Sequence, residues 1–97
     1  MSITTVTRFH AAEGQGATLL ELQSEGRQRM LAAEGCESFD ILQDQADLRS
    51  SAFLHTWSSR EAHDAAFGEL IMASGYLEKV LAVLDEGVVQ TFYEVVS

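Results

Sequence analysis

Residues 34–63 read EGCESFDILQDQADLRSSAFLHTWSSREAH. Two runs, CESFDILQ (36–43) and SAFLHTW (51–57), alternate in polarity as strands do. The second puts Phe53, His55 and Trp57 on one parity, opposite Leu54. The polar DQADLRS between them is a hairpin connection, too long for a tight turn. Trp57 is the only tryptophan of the chain and closes the second run. SSRE follows at once, and Ser58 and Glu61 stand three apart, the spacing of a capping box. The stretch therefore predicts strand, loop, strand and helix start.

The flanks extend this pattern. SITTVTRFH (2–10) is rich in β-branched and aromatic residues and predicts a first strand, broken by AAEGQG. Residues 16–34 predict a helix with a stripe at Leu19, Leu22, Gly26, Met30 and Ala33, a capping box at Thr18 and Glu21, and a stop at Gly35. After Trp57 the second helix buries Ala62, Ala66, Phe67, Leu70 and Ile71, breaks at Ser74–Gly75, continues through Leu77, Val80, Leu81 and Leu84, and ends at Asp85–Gly87. VVQTFYEVV (88–96) is the fourth strand. The order β-α-β-β-α-β predicts an α+β, ferredoxin-like domain over residues 1–97, with a four-stranded antiparallel sheet and helices on one face. Strands one, three and four carry apolar residues on both parities, so both faces need cover. A second copy of the same sheet, in a two-fold homodimer, is the simplest cover for the face without helices.

Composition narrows the function. A hydrophobic fraction of 46% marks a folded chain rather than a disordered one. A net charge of −9, with Lys79 the only lysine, argues against nucleic acid and anionic membrane surfaces. No run approaches the roughly 20 apolar residues of a membrane span. The opening MSITTVTRFH lacks the basic start and apolar stretch of a signal peptide, and Cys36 stands alone, so a cytoplasmic location is expected. Cys36 itself reads as a small buried hydrophobe. No phosphate loop, nucleotide fingerprint or metal-ligand spacing is present, and His55 and His63 straddle a strand–helix junction without a third ligand.

The pattern EGCESFDILQDQADLRSSAFLHTWSSREAHDA, with TRFHAAEGQGA before it, resembles the antibiotic biosynthesis monooxygenase (ABM) domain. The shared features are a Gly-Cys pair opening strand two, an aromatic in mid-strand (Phe39), a polar loop, and a third strand ending in Trp before a charged helix start. The resemblance implies a dimeric α+β barrel with a small-molecule pocket between each sheet and its own helices. It implies oxidation of quinols, anthrones or polyketide-like phenols by O₂ without metal, haem or flavin. A haem-degrading branch of the family uses an Asn on strand one and a Trp and His on the helix after strand three. This chain has no Asn, carries Thr7 near that place and Ala66 at the Trp position, and has no His beyond His63. Haem degradation is not expected.

Cofactor-free oxygenation needs a base, a donor for the resulting oxyanion and a dry pocket. His55 and Tyr76 are the candidate proton carriers, the first for its near-neutral reference pKa, the second for a phenol just past the Ser74–Gly75 break. Thr7, Phe39, Trp57, His63 and Phe67 are candidate pocket residues. Each also has a packing role open to it: Trp57 as an anchor of strand to helix, His55 as a hydrogen-bonded sheet residue, His63 as an exposed helical one, His10 as a solvated strand end. The leading expectation is a cofactor-independent monooxygenase acting on a small aromatic. Its rival is a non-catalytic, dimeric small-ligand binder on the same scaffold. An isomerase or decarboxylase has no residue signal.

Overall fold

The computed structural model describes residues 2–97. The elements are β1 (Ile3–His10), α1 (Gly16–Leu31), β2 (Cys36–Gln43), β3 (Ser50–Trp57), α2 (Arg60–Ala66), a π-helical turn (Phe67–Met72) that continues α2, α3 (Tyr76–Leu81) and β4 (Val89–Glu94). The strands form one antiparallel sheet in the order β2-β3-β1-β4, the ferredoxin-like arrangement. In register, Thr7 faces Phe53 on one side and Gln90 on the other, and Thr5 lies between His55 and Phe92. Phe39 of β2 lies opposite His55.

Because side chains alternate, this register gathers Thr5, Thr7, Phe9, Phe39, Phe53, His55 and Trp57 on one face. All are buried, and they pack beneath Leu19 and Met30 of α1 and Ile71, Tyr76 and Val80 of the second helical layer. The opposite face carries Val6 and Leu54 as a half-buried pair, with Leu42, Val89 and Tyr93 exposed around them.

Local chemistry moves several boundaries. Helix α1 starts at Gly16 after a turn closed by the Gln15 amide donating to the Ala12 carbonyl. Gln15 takes the N-cap position without a side-chain bond, so Thr18 falls inside the helix and the expected box with Glu21 does not form. The buried stripe is Leu19, Gln23, Gly26 and Met30. Gln23 takes the buried place expected for Leu22; its amide nitrogen donates to the Ser51 hydroxyl at 2.8 Å, while its Oε1 has no partner among the described residues. The helix ends at Leu31, three residues before Glu34, and the chain unwinds through a turn to Gly35.

The second cap sits one residue later than expected. The Ser58 amide is already bonded to the Gly35 carbonyl at 2.8 Å, which keeps Ser58 in line with β3. Ser59 becomes the N-cap, and its hydroxyl accepts from the Ala62 amide. The helix breaks at Ser74–Gly75 as expected, but α3 stops at Leu81 rather than at Asp85. Residues 82–85 turn back along the end of β1: the Ala12 amide donates to the Val83 carbonyl, and the Asp85 amide to that of His10. Strand β4 spans Val89–Glu94, short of the expected 88–96, and Val95 and Val96 are exposed.

Two glycines hold the layers together. Gly35 has φ +90°, and a Cβ there would lie 2.6 Å from the Ala62 Cβ. Both the left-handed backbone and the tight approach of β2 to α2 demand glycine. A Cβ on Gly26 would meet the Tyr76 hydroxyl group. Gly35→Ala should therefore lower unfolding stability by about 2–4 kcal/mol, from overpacking and backbone strain together. The check is urea denaturation, where the midpoint should fall with an unchanged slope.

Candidate active site

The inner face of the sheet and the second helical layer do not meet completely. They leave a cavity of about 290 Å³ whose walls are apolar except for Thr7, His55, His63, Tyr76 and Gln90. Of the residues singled out in the sequence, Thr7, Phe39, His55, His63, Phe67 and Tyr76 line it. Trp57 does not. It is fully buried and bonded to His55, off the cavity wall. Gln90 lines the cavity too. In the sequence it is one polar residue in an apolar strand, and only the register beside Thr7 reveals it.

Two short polar chains run through this site. In the first, the Trp57 indole N–H donates to Nδ1 of His55 at 2.8 Å. An indole nitrogen can only donate, so Nδ1 is an acceptor and the His55 proton sits on Nε2. That Nε2 lies 3.2 Å from the Thr7 hydroxyl oxygen, which accepts from it. Burial, reinforced by the neighbouring His63, pushes the His55 pKa down to about 4. His55 is thus neutral and bonded through both nitrogens.

In the second chain, the His63 Nδ1–H donates to Asp64 at 2.9 Å. Its Nε2 accepts from the Gln90 amide nitrogen at 3.0 Å. The hydrogen bond from His63, aided by Arg60, holds the Asp64 carboxyl below its usual range. Arg60 donates to the same carboxylate oxygen at 3.1 Å and lies 3.6 Å over the Phe92 ring. His63 itself is 2% exposed, stacked on Phe67 and edge-on to Phe92 and Trp57. The expected exposed helical histidine is therefore a buried wall residue. The π turn after Ala66 leaves α2 buried through His63 and Ala66, the side that faces the sheet.

Tyr76 lines the cavity with its ring, but its hydroxyl donates to the Leu22 carbonyl of α1. Burial, with Glu25 nearby, pushes this phenol up to about 12. The group serves as a clasp between helices. His10 is no free strand end: Asp85 and Asp47 bind its two nitrogens at 2.6 and 3.0 Å and raise its pKa.

The family model for antibiotic biosynthesis monooxygenase matches residues 2–73. The chain belongs to the antibiotic biosynthesis monooxygenase family. Solved structures share this ABM fold closely. Rv0793 from Mycobacterium tuberculosis superposes with a TM-score of 0.90 at 20% identity, covering 100% of this chain and 97% of its own. SnoaB from Streptomyces nogalater, a cofactor-independent oxygenase, superposes with a TM-score of 0.86 at 14% identity, covering 99% and 94%. A conserved protein from Methanosarcina mazei Go1 gives 0.87 at 15%, covering 96% and 91%. No curated protein matches the sequence significantly. Among the described residues of this ABM chain no helix is long and apolar enough to cross a membrane.

The neutral His55 makes the ABM domain acid-sensitive in a defined window. Unfolded, the imidazole has a pKa of 6.5; folded, about 4. Between these values the unfolded chain binds a proton that the folded chain refuses. The stabilisation is complete above pH 6.5 and is lost as pH falls to 4, by up to about 3 kcal/mol. His10, whose pKa is raised, acts in the opposite sense, its contribution fading as pH rises. Denaturation of wild type and His55→Gln across pH 4–7 should isolate the His55 share: the difference in stability between them should change by that amount over the window.

Proposed function

We propose that the protein is a cofactor-independent monooxygenase that oxidises a small phenolic aromatic with O₂. The carrying observation is a mostly apolar cavity with few polar residues, among which Thr7 and Gln90 are register neighbours and Gln90 reaches the Asp64-held His63. At about 290 Å³ it sits at the small end of ligand sites. The oxygenase chemistry of SnoaB, on the same fold, supports this reading.

In this reading His63 is the base. Asp64 holds Nδ1–H and balances the imidazolium formed when Nε2 takes a proton. The substrate is a phenol bearing an activated CH₂. Deprotonation gives an electron-rich anion that passes one electron to O₂. Recombination of the radical pair forms a C–O bond, and a proton from His63 assists loss of water from the resulting hydroperoxide. CH₂ becomes C=O, the second oxygen leaves as water, and the substrate supplies all four electrons. The dry wall of Phe39, Phe53 and Phe67 protects the radical pair from solvent.

His55 and Tyr76 do not carry the proton in this scheme: His55 is committed to Trp57 and Thr7 with no carboxylate beside it to balance an imidazolium, and the Tyr76 hydroxyl is committed to the Leu22 carbonyl, whereas His63 has Asp64 and need only exchange its Gln90 contact for the substrate. That same commitment favours the second reading, a non-catalytic binder of small aromatics. In either case a homodimer is proposed, with Val6, Leu54, Leu42, Val89 and Tyr93 of one sheet packed on the partner.

Oxygen uptake by the metal-stripped protein against anthrones, which carry the activated CH₂, with hydroquinones and naphthols as phenols that lack it, tests the reading. Saturable uptake should fall about 100-fold or more in His63→Gln, and less in Asp64→Asn. Tyr76→Phe, which loses only the bond to Leu22, should keep most of it. Saturable binding without uptake across the panel would favour the binder.

A further inference from the structure

We propose that Trp57 and His55 are positioning residues that make the Thr7 hydroxyl a one-way donor, and that this hydroxyl is the contact for a ligand's phenolate oxygen. The assignment follows from the order of donors. Trp57 can only donate, so His55 Nδ1 must accept, and the neutral ring carries its proton on Nε2. Thr7 Oγ1 takes that proton as acceptor. Among the described residues Thr7 Oγ1 has no other side-chain partner, so its own proton is left over. Thr7 stands on the cavity wall between Phe53 and Gln90, so the free proton has the cavity before it.

Without the indole the polarity would no longer be fixed. With its proton on Nδ1, His55 would accept from Thr7, and the cavity would meet a hydroxyl lone pair instead of a proton. An oxyanion would then be repelled. The same geometry places Thr7 directly across the strand pair from Gln90, whose amide reaches His63 Nε2. A phenol oxygen bound between them gives its proton to His63 and keeps its charge against Thr7. This second half rests on the base assigned to His63 above; the donor role of Thr7 does not. His55, His63 and Tyr76 are the titratable side chains on the cavity wall, and Tyr76 is tied to Leu22.

The test uses 4-nitrophenol as the probe under anaerobic conditions, with the yellow phenolate band read as a function of pH. Bound to wild type, the probe should ionise roughly one pH unit lower than when bound to Thr7→Val, since one charge-assisted hydrogen bond offsets part of the cost of burying the phenolate. Thr7→Ser should keep this shift. His55→Gln should also keep it, since a Gln oxygen can accept from Trp57 while its nitrogen donates to Thr7. Trp57→Phe should reduce it, because a His55 freed to carry its proton on Nδ1 can accept from Thr7, which a purely structural role for Trp57 and His55 would not require. An ionisation pH in folded Thr7→Val equal to that in wild type, or one unchanged in folded Trp57→Phe, would overturn the proposal, as would failure of folded wild type to bind 4-nitrophenol saturably. Oxygen plays no part in this titration. A shift without oxygen uptake would leave the donor standing and remove the oxygenase, and uptake without a shift would do the reverse.

Discussion

The hydrogen bond from the Trp57 indole to Nδ1 of His55 is the constraint on which the site depends. It is buried at both ends, so breaking it would strand a donor and an acceptor away from water. It ties the end of β3 to its own middle, two residues back. It also decides a protonation state, because an imidazole that accepts at Nδ1 and donates at Nε2 has no second proton to give. The question raised by a lone Trp at a strand end therefore has a chemical answer as well as a packing one. Trp57 anchors the junction of β3 and α2, and it sets the direction of a polar chain whose far end reaches the cavity at Thr7.

The second consequence is a division of labour between two histidines. The His55 and His63 rings are 5.8 Å apart. A positive charge on each at that distance would repel by about 3 kcal/mol at an effective dielectric near 20, which adds to the burial that keeps His55 neutral. Their surroundings break the tie. His55 has an indole donor, a hydroxyl and aromatic rings around it, and no carboxylate. His63 has Asp64 on Nδ1, and Asp64 is half exposed with Arg60 beside it. The charge of a transferred proton thus has a place to be balanced on one ring and none on the other.

Much of the fold was legible because it follows from periods. The alternation in 36–43 and 51–57 located β2 and β3, and the shared parity of Phe53, His55 and Trp57 put them on the buried face. The helix boundaries were less legible because they depend on contacts distant in sequence. Ser58 loses the cap to Ser59 through its bond to Gly35, and residues 82–85 are drawn from the helix to β1. In the site, what each candidate side chain bonds to was hidden. Nothing local to Tyr76 announces that its hydroxyl meets the Leu22 carbonyl over a glycine. His63 looked solvated because a single polar residue in a helix usually is; its burial depends on the face that α2 turns to the sheet. Gln90 acquires meaning only from a strand register.

The tautomer of His55 is the central claim, and nitrogen-15 NMR of the imidazole rings in the folded protein reads it directly. The account predicts a neutral ring between pH 5 and 7, protonated at Nε2 and bare at Nδ1, with a coupling to the Trp57 indole proton; Trp57→Phe should mix the tautomers. A His55 that carries its proton on Nδ1, or that is charged at pH 6, would contradict the polar chain and with it the donor assigned to Thr7.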